Sequence, residues 1–372
     1  MDIKFPEDIP SQRMAFRHIC NDEELERVFN IKSPEDYLFL IRAETIVDHM
    51  RLFRVYRNKK LYSKGNWSLE DSFDTYHFEQ FLDALNDTHR KECEEITYGN
   101  IFSNKASGTI FTSNYGPIIT ISESLEYFLK FANLTLIDFD TDIPVSVRFN
   151  SLRIAIRIML QQEAMDFHMD PRGIIPKKIQ NWNNIVVSNQ MKFIAGHEFS
   201  HYLCDHIDKK NICEENIYKD IFSDGENHNK TITFYNQSQT EEFIADATSI
   251  ELPNYNPHDK TMVITSALYW FAALDLYEHF IEKVTGRKSG LGEHPSAIKR
   301  YESLLNNVSL TKDINKQEWL DYQKNLDVIK EFINNDVDKQ LEQTYRFYGS
   351  CYLAEPNTKW RGKHLIDRKD YY

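Results

Sequence analysis

The chain has 372 residues, with 57 Asp and Glu against 44 Lys and Arg and a formal net charge of −13. So acidic a balance argues against nucleic acid or an anionic membrane surface as partner, because neutralising phosphates needs a basic face. The length admits two domains or one elaborated core, and five cysteines without paired spacing fit a reducing interior better than a disulfide framework.

In chain order, residues 1–115 read as a mostly helical N-terminal region. Its first residues, Met1 to Asp8, contain neither a basic n-region nor an apolar h-region, which predicts no secretion signal and a cytoplasmic protein. Ser33-Pro34-Glu35 and Ser68-Leu69-Glu70 read as helix starts with acidic first turns. A core region follows over 116–305. Ile118–Ser122 and Ile143–Phe149 alternate as short strands do, and apolar spacing predicts a helix from Leu152 to Phe167, closed by Pro171-Arg172-Gly173.

Within this core lies His197-Glu198-Phe199-Ser200-His201. Histidines at i and i+4 share one helical face, so both imidazoles can reach a single Zn²⁺. The intervening glutamate can take the proton of an activated water. Phe193, Ile194, Ala195, Phe199, Tyr202 and Leu203 around it are apolar at helical spacing, as a buried helix requires. Cys204, one turn past His201, reads as a reduced thiol and not as a ligand.

A catalytic zinc takes three protein ligands and leaves one position open. The next helical segment, Thr240-Glu-Glu-Phe-Ile-Ala-Asp-Ala-Thr248, supplies the third candidate. Glu242 and Asp246 share one face: Glu242 is the expected ligand, with Glu241 as the alternative, and Asp246 the expected acceptor of a ligand histidine's Nδ1–H. Ala245 and Ala247 are small enough to let the two helices approach. Between them, 208–239 is a polar insertion with a turn at Asp224–His228 and a strand at Thr231–Tyr235, placed by topology to act as a lid or as a passive excursion. Met262–Leu274 is apolar but falls short of the ~20 residues a membrane span needs, so it reads as a buried helix behind the site. His294-Pro295 opens a further helix that carries Arg300, positioned to pair with Glu242 or Asp246. Residues 306–372 form a C-terminal extension, helical and amphipathic from Asn315 to Leu341.

HExxH, ExxAD and HPxxxxR, in that order over Ile194–Leu304, resemble the gluzincin metallopeptidases typified by the CAAX prenyl protease and the HtpX-type proteases. The HExxHxxGxxH pattern of metzincins is not met, since neither its glycine nor its third histidine is present. The resemblance implies an α+β, predominantly helical fold with a zincin-like core, a small sheet and an HExxH helix. It implies Zn²⁺ on His197, His201 and Glu242, Glu198 as general base, His294 as stabiliser of the oxyanion, and Arg300 in support of the glutamate ligand. It also implies an extended substrate held along an edge strand beside the HExxH helix. Those families span membranes; this chain, with no spanning segment and a long N-terminal region, is also similar to the soluble Lit-type phage-exclusion peptidases. The expected activity is zinc-dependent hydrolysis of a protein or peptide substrate. The competing reading is a non-catalytic gluzincin-like sensor or partner-binding regulator, against which the intact Glu198 argues.

Overall fold

Caps and prolines set most helix starts in the structure, a computed structural model that describes residues 9–140, 142–167, 170–206, 212–216, 231–235, 238–287 and 295–362. The N-terminal region carries α1 (Ile9–Arg17), α2 (Asp22–Phe29), α3 (Pro34–Asp48), α4 (Met50–Tyr62), α5 (Tyr76–Ala84) and α6 (Asp87–Glu92). Ser33 Oγ accepts Asp36 N–H at 3.3 Å, and Pro34 sits in the first turn, so α3 starts where the sequence predicts. Ser68–Glu70 opens only a 3₁₀ turn, Glu70–Ser72. There the Glu24 carboxylate receives both Ser68 Oγ–H (2.9 Å) and Glu70 N–H (3.0 Å), tying the segment to α2.

The same region ends in two strands, β1 (Thr97–Ile101) and β2 (Gly108–Ser113), which pair with β3 (Gly116–Ser122). The strand expected at Ile118–Ser122 is therefore present, and its partners lie before residue 115. β4 (Ile212–Asn216) and β5 (Thr231–Tyr235), both from the insertion, complete a sheet of order β1-β3-β2-β5-β4. β1 runs parallel to β3, and the other pairs are antiparallel. The two faces follow the period of two: Ile101, Phe111 and Ile118 pack with Leu38 and Ile41 of α3, while Ile110, Ile119 and Ile121 join the main core.

Then come α7 (Glu123–Leu136), α8 (Val145–Met159), α9 (Lys177–Leu203), α10 (Gln239–Glu251), α11 (Pro257–Thr285), α12 (Ala297–Asn306), α13 (Val308–Thr311) and α14 (Lys316–Gln340). Ile143–Phe149 is not a strand. Its alternating Val145, Val147 and Phe149 mimic one, but Pro144 precedes a helix whose buried residues Val147, Ser151, Ile154 and Ala155 follow helical spacing. That helix ends at Met159, short of Phe167, because Glu163 is drawn into a buried pair with Arg157 (2.8 Å) and Arg172 (2.7 Å). Met262–Leu274 forms the buried middle of α11, and among the described residues no helix is long and apolar enough to cross a membrane. The Asp224–His228 turn lies outside the described residues.

The chain is thus predominantly helical with one small sheet, and one hydrophobic cluster runs from Phe16 to Trp360 through all three segments. At its centre is α9, packed against α5, α7, α10, α11, β2 and β3. Every residue from Phe193 to His201 is buried. Gly196 lies in this stretch although a mid-helix glycine costs about 1 kcal/mol relative to alanine. A Cβ there would meet Phe81 at 2.5 Å and Ser249 at 3.3 Å, so the glycine allows α5 and α10 to close on the helix.

Candidate metal centre

Three elements converge at the C-terminal end of α9. His197 and His201 lie one turn apart on it, Glu242 and Asp246 one turn apart on α10, and Arg300 on α12; all five are buried. His197 Nε2 lies 3.0 Å from His201 Nε2, and Glu242 brings one oxygen within 3.4 Å of the first and the other within 3.5 Å of the second. Among the described residues this is the group of His, Cys, Asp and Glu side chains with metal-holding spacing. A tetrahedral ion with bonds of about 2.0–2.1 Å separates its ligands by roughly 3.4 Å, close to this triangle. Two imidazole lone pairs 3.0 Å apart would repel, so a proton or a metal cation has to lie between them.

The choice between the two glutamates follows from helix capping. Ser238 Oγ accepts Glu241 N–H at 3.3 Å, and the Glu241 carboxylate accepts Ser238 N–H at 2.5 Å, forming a capping box at the start of α10. Glu241 is thereby turned back on its own helix, while Glu242 faces the histidines.

Behind the triangle, Asp246 Oδ1 lies 2.9 Å from His197 Nδ1. A hydrogen bond accepted from Nδ1–H fixes the neutral tautomer whose Nε2 lone pair is directed at Glu242 and His201. Arg300 grips Asp246 with two bonds, Nε to Oδ2 at 2.9 Å and Nη2 to Oδ1 at 2.5 Å, and sets Nη1 3.3 Å from Glu242 Oε2. Its Nη2 also lies 3.2 Å from His197 Nδ1; both atoms carry hydrogens once Asp246 is the acceptor, so that approach is not a bond. The guanidinium carbon is 5.0 Å from the ring centres of both Trp270 and Phe271 of α11, which closes the site from behind.

The charges follow from these contacts. Burial works against ionising Glu242, but Arg300 and the two histidines overcome it and hold the carboxyl well below the usual range. Asp246 is likewise held low, by Arg300 and His197 against the cost of burial. Burial and Arg300 oppose a charge on His197, yet Asp246 and Glu242 outweigh them and lift it to about 9. Burial takes His201 down to about 4. A metal ion entering here has to displace a proton from this pair, so its affinity must rise with pH.

Glu198 is buried beside the triangle, on the side facing β2. A Cβ built on Gly108 would lie 2.5 Å from Glu198 Cγ and 2.7 Å from Oε1. Only glycine at the start of β2 leaves this carboxylate its volume. In the sheet β2 lies between β3 and β5, and among the described residues its register with β5 sets Phe111 opposite Phe234.

Sequence reasoning missed two residues here. Gly108 carried no signal, because its importance comes from a neighbour distant in the chain. His206 does not fall at the metzincin spacing and so carries no signal by that pattern; its Nδ1 lies 3.1 Å from His201 Nδ1. Cys204 lies outside the triangle, with Sγ 3.7 Å from Thr248 Oγ1. His294 lies outside the described residues; α12 itself begins at Ala297, whose N–H is accepted by the Glu278 carboxylate of α11. Comparison of the chain with protein-family models, with curated proteins and with solved structures gives no match in any of the three.

Proposed function

We propose that the chain is a zinc-dependent metalloendopeptidase of gluzincin type, with zinc held by His197, His201 and Glu242. The observation that carries this reading is the buried His-His-Glu triangle with edges of 3.0, 3.4 and 3.5 Å, backed by Asp246 and Arg300. Two imidazoles and a carboxylate are a donor set that suits zinc. Among the described residues the group holds three ligands and no cysteine, which is the pattern of catalytic and not of structural zinc. Zinc bound there supplies Lewis acidity at an open coordination position.

The chain's own residues do the rest. Glu198 takes a proton from the attacking water and returns it to the leaving amine. Asp246 holds His197 in the tautomer that offers Nε2, and Arg300 anchors Asp246 and Glu242 together. His294 is the proposed stabiliser of the oxyanion.

The test compares cells producing the wild type with cells producing Glu198→Gln by proteomics of protein N-termini. New termini are expected with the wild type alone; identical sets in the two would remove the peptidase reading. Gly108→Ala supplies a second check, since the added methyl must push Glu198 aside. Zinc content is expected to stay at the wild-type level while turnover falls by roughly 100-fold, the usual cost of a misplacement near 1 Å. Unchanged turnover would mean that Glu198 has room to spare.

A further inference from the structure

We propose that His206 is a positioning residue of this centre, the acceptor that holds His201 in its ligand tautomer and ring orientation; the inference rests on the metal-centre reading above. For His201 to offer the Nε2 lone pair, its proton must sit on Nδ1, and a buried Nδ1–H needs an acceptor. His197 has the Asp246 carboxylate for this purpose. For His201, among the described residues, the atom at hydrogen-bonding distance on that side is His206 Nδ1, at 3.1 Å. The two ring centres are 5.3 Å apart and the planes inclined by 63°.

The placement is built into the end of α9. Asp205 N–H is accepted by Tyr202 O at 3.0 Å, and His206 N–H by His201 O at 2.9 Å, the paired bonds of a Schellman motif. Asp205 takes the left-handed conformation this motif demands, with φ of +57°. The reversal brings the chain back over the last helical turn and sets residue 206 beside residue 201. His206 meets His201 on the ring atom opposite the one facing His197 and Glu242, so it supports the ligand and is not itself part of the triangle. With Nδ1 accepting, its own proton resides on Nε2. The two ligands are therefore unequally supported: an anion stands behind His197 and a neutral imidazole behind His201.

Zinc affinity of the purified full-length protein, measured by competition with a chromophoric chelator, tests this without reference to turnover. His206→Ala is expected to weaken zinc binding by roughly 10–100-fold, the usual cost of losing such a partner. His206→Asn, whose Oδ1 occupies the position of Nδ1, is expected to restore affinity to within a few-fold of the wild type. Asp205→Gly should retain full affinity because glycine adopts the left-handed conformation freely, whereas Asp205→Val should behave like His206→Ala. Equal zinc affinity in the wild type and His206→Ala overturns the proposal while leaving the centre intact. So does an Asn variant as weak as the Ala variant, since packing and not acceptance would then be at work. A wild type that binds no zinc overturns the centre and this inference together.

Discussion

Glu242→Ala is expected to weaken zinc binding by more than about 100-fold, whereas Glu241→Ala leaves it nearly unchanged. Structural zinc sites are worth about 10–16 kcal/mol over four ligands, or roughly 3 kcal/mol per ligand, and each 1.4 kcal/mol is a factor of ten. Glu242 contributes an oxygen to both edges of the triangle that reach the histidines. The Glu241 carboxylate is occupied by Ser238 N–H. Its loss should cost only the stability of a helix cap, about 1 kcal/mol. Chelator competition on the two variants, with denaturant unfolding alongside, separates a ligand from a cap. Equal losses of affinity would exclude Glu242 as the third ligand.

Removing the Arg300 charge is expected to have the largest effect on stability. Arg300→Met leaves Asp246 and Glu242 facing each other in a buried site without their shared cation, and breaking a buried pair from one side costs about 3–5 kcal/mol. Adding Asp246→Asn to that variant should recover part of the loss, because the amide oxygen still accepts from His197 Nδ1 and one of the two carboxylates left without Arg300 is removed. Guanidinium unfolding of the two single variants and the double variant gives the coupling directly. A loss below 1 kcal/mol for Arg300→Met would show that water reaches the pair and that the site is wetter than its burial indicates.

Parts of this site are legible from local pattern because helix geometry is local. The i, i+4 spacing of His197 and His201, and of Glu242 and Asp246, places each pair on one face wherever the helices pack. The preference for Glu242 over Glu241 was also legible in principle, since Ser238-x-x-Glu241 is a capping-box pattern that commits Glu241 to its own helix. Elsewhere, local pattern misled. Val145, Val147 and Phe149 alternate like a strand, but α8 packs through residues three and four apart, and only its neighbours show which period prevails. Its expected continuation to Phe167 fails because Glu163 finds two arginines, one of them beyond the helix.

What the sequence determined by itself is the inventory of chemistry, two metal-spaced histidines with a glutamate between them and an acidic pair on a second helix. It also showed Met262–Leu274 to be too short an apolar run for a span, and among the described residues no helix is long and apolar enough to cross a membrane. Tertiary structure alone decided how these groups meet. Gly108, in a strand far from Glu198 in the chain, leaves the volume for its carboxylate. Arg300 is drawn onto Asp246 by the packing of α12 against α10 and α11. Gly196 sets how closely α5 and α10 approach α9, and a left-handed Asp205 returns His206 to His201. Spacing along one helix follows from 3.6 residues per turn, whereas contact between elements depends on how side chains from distant segments share one core.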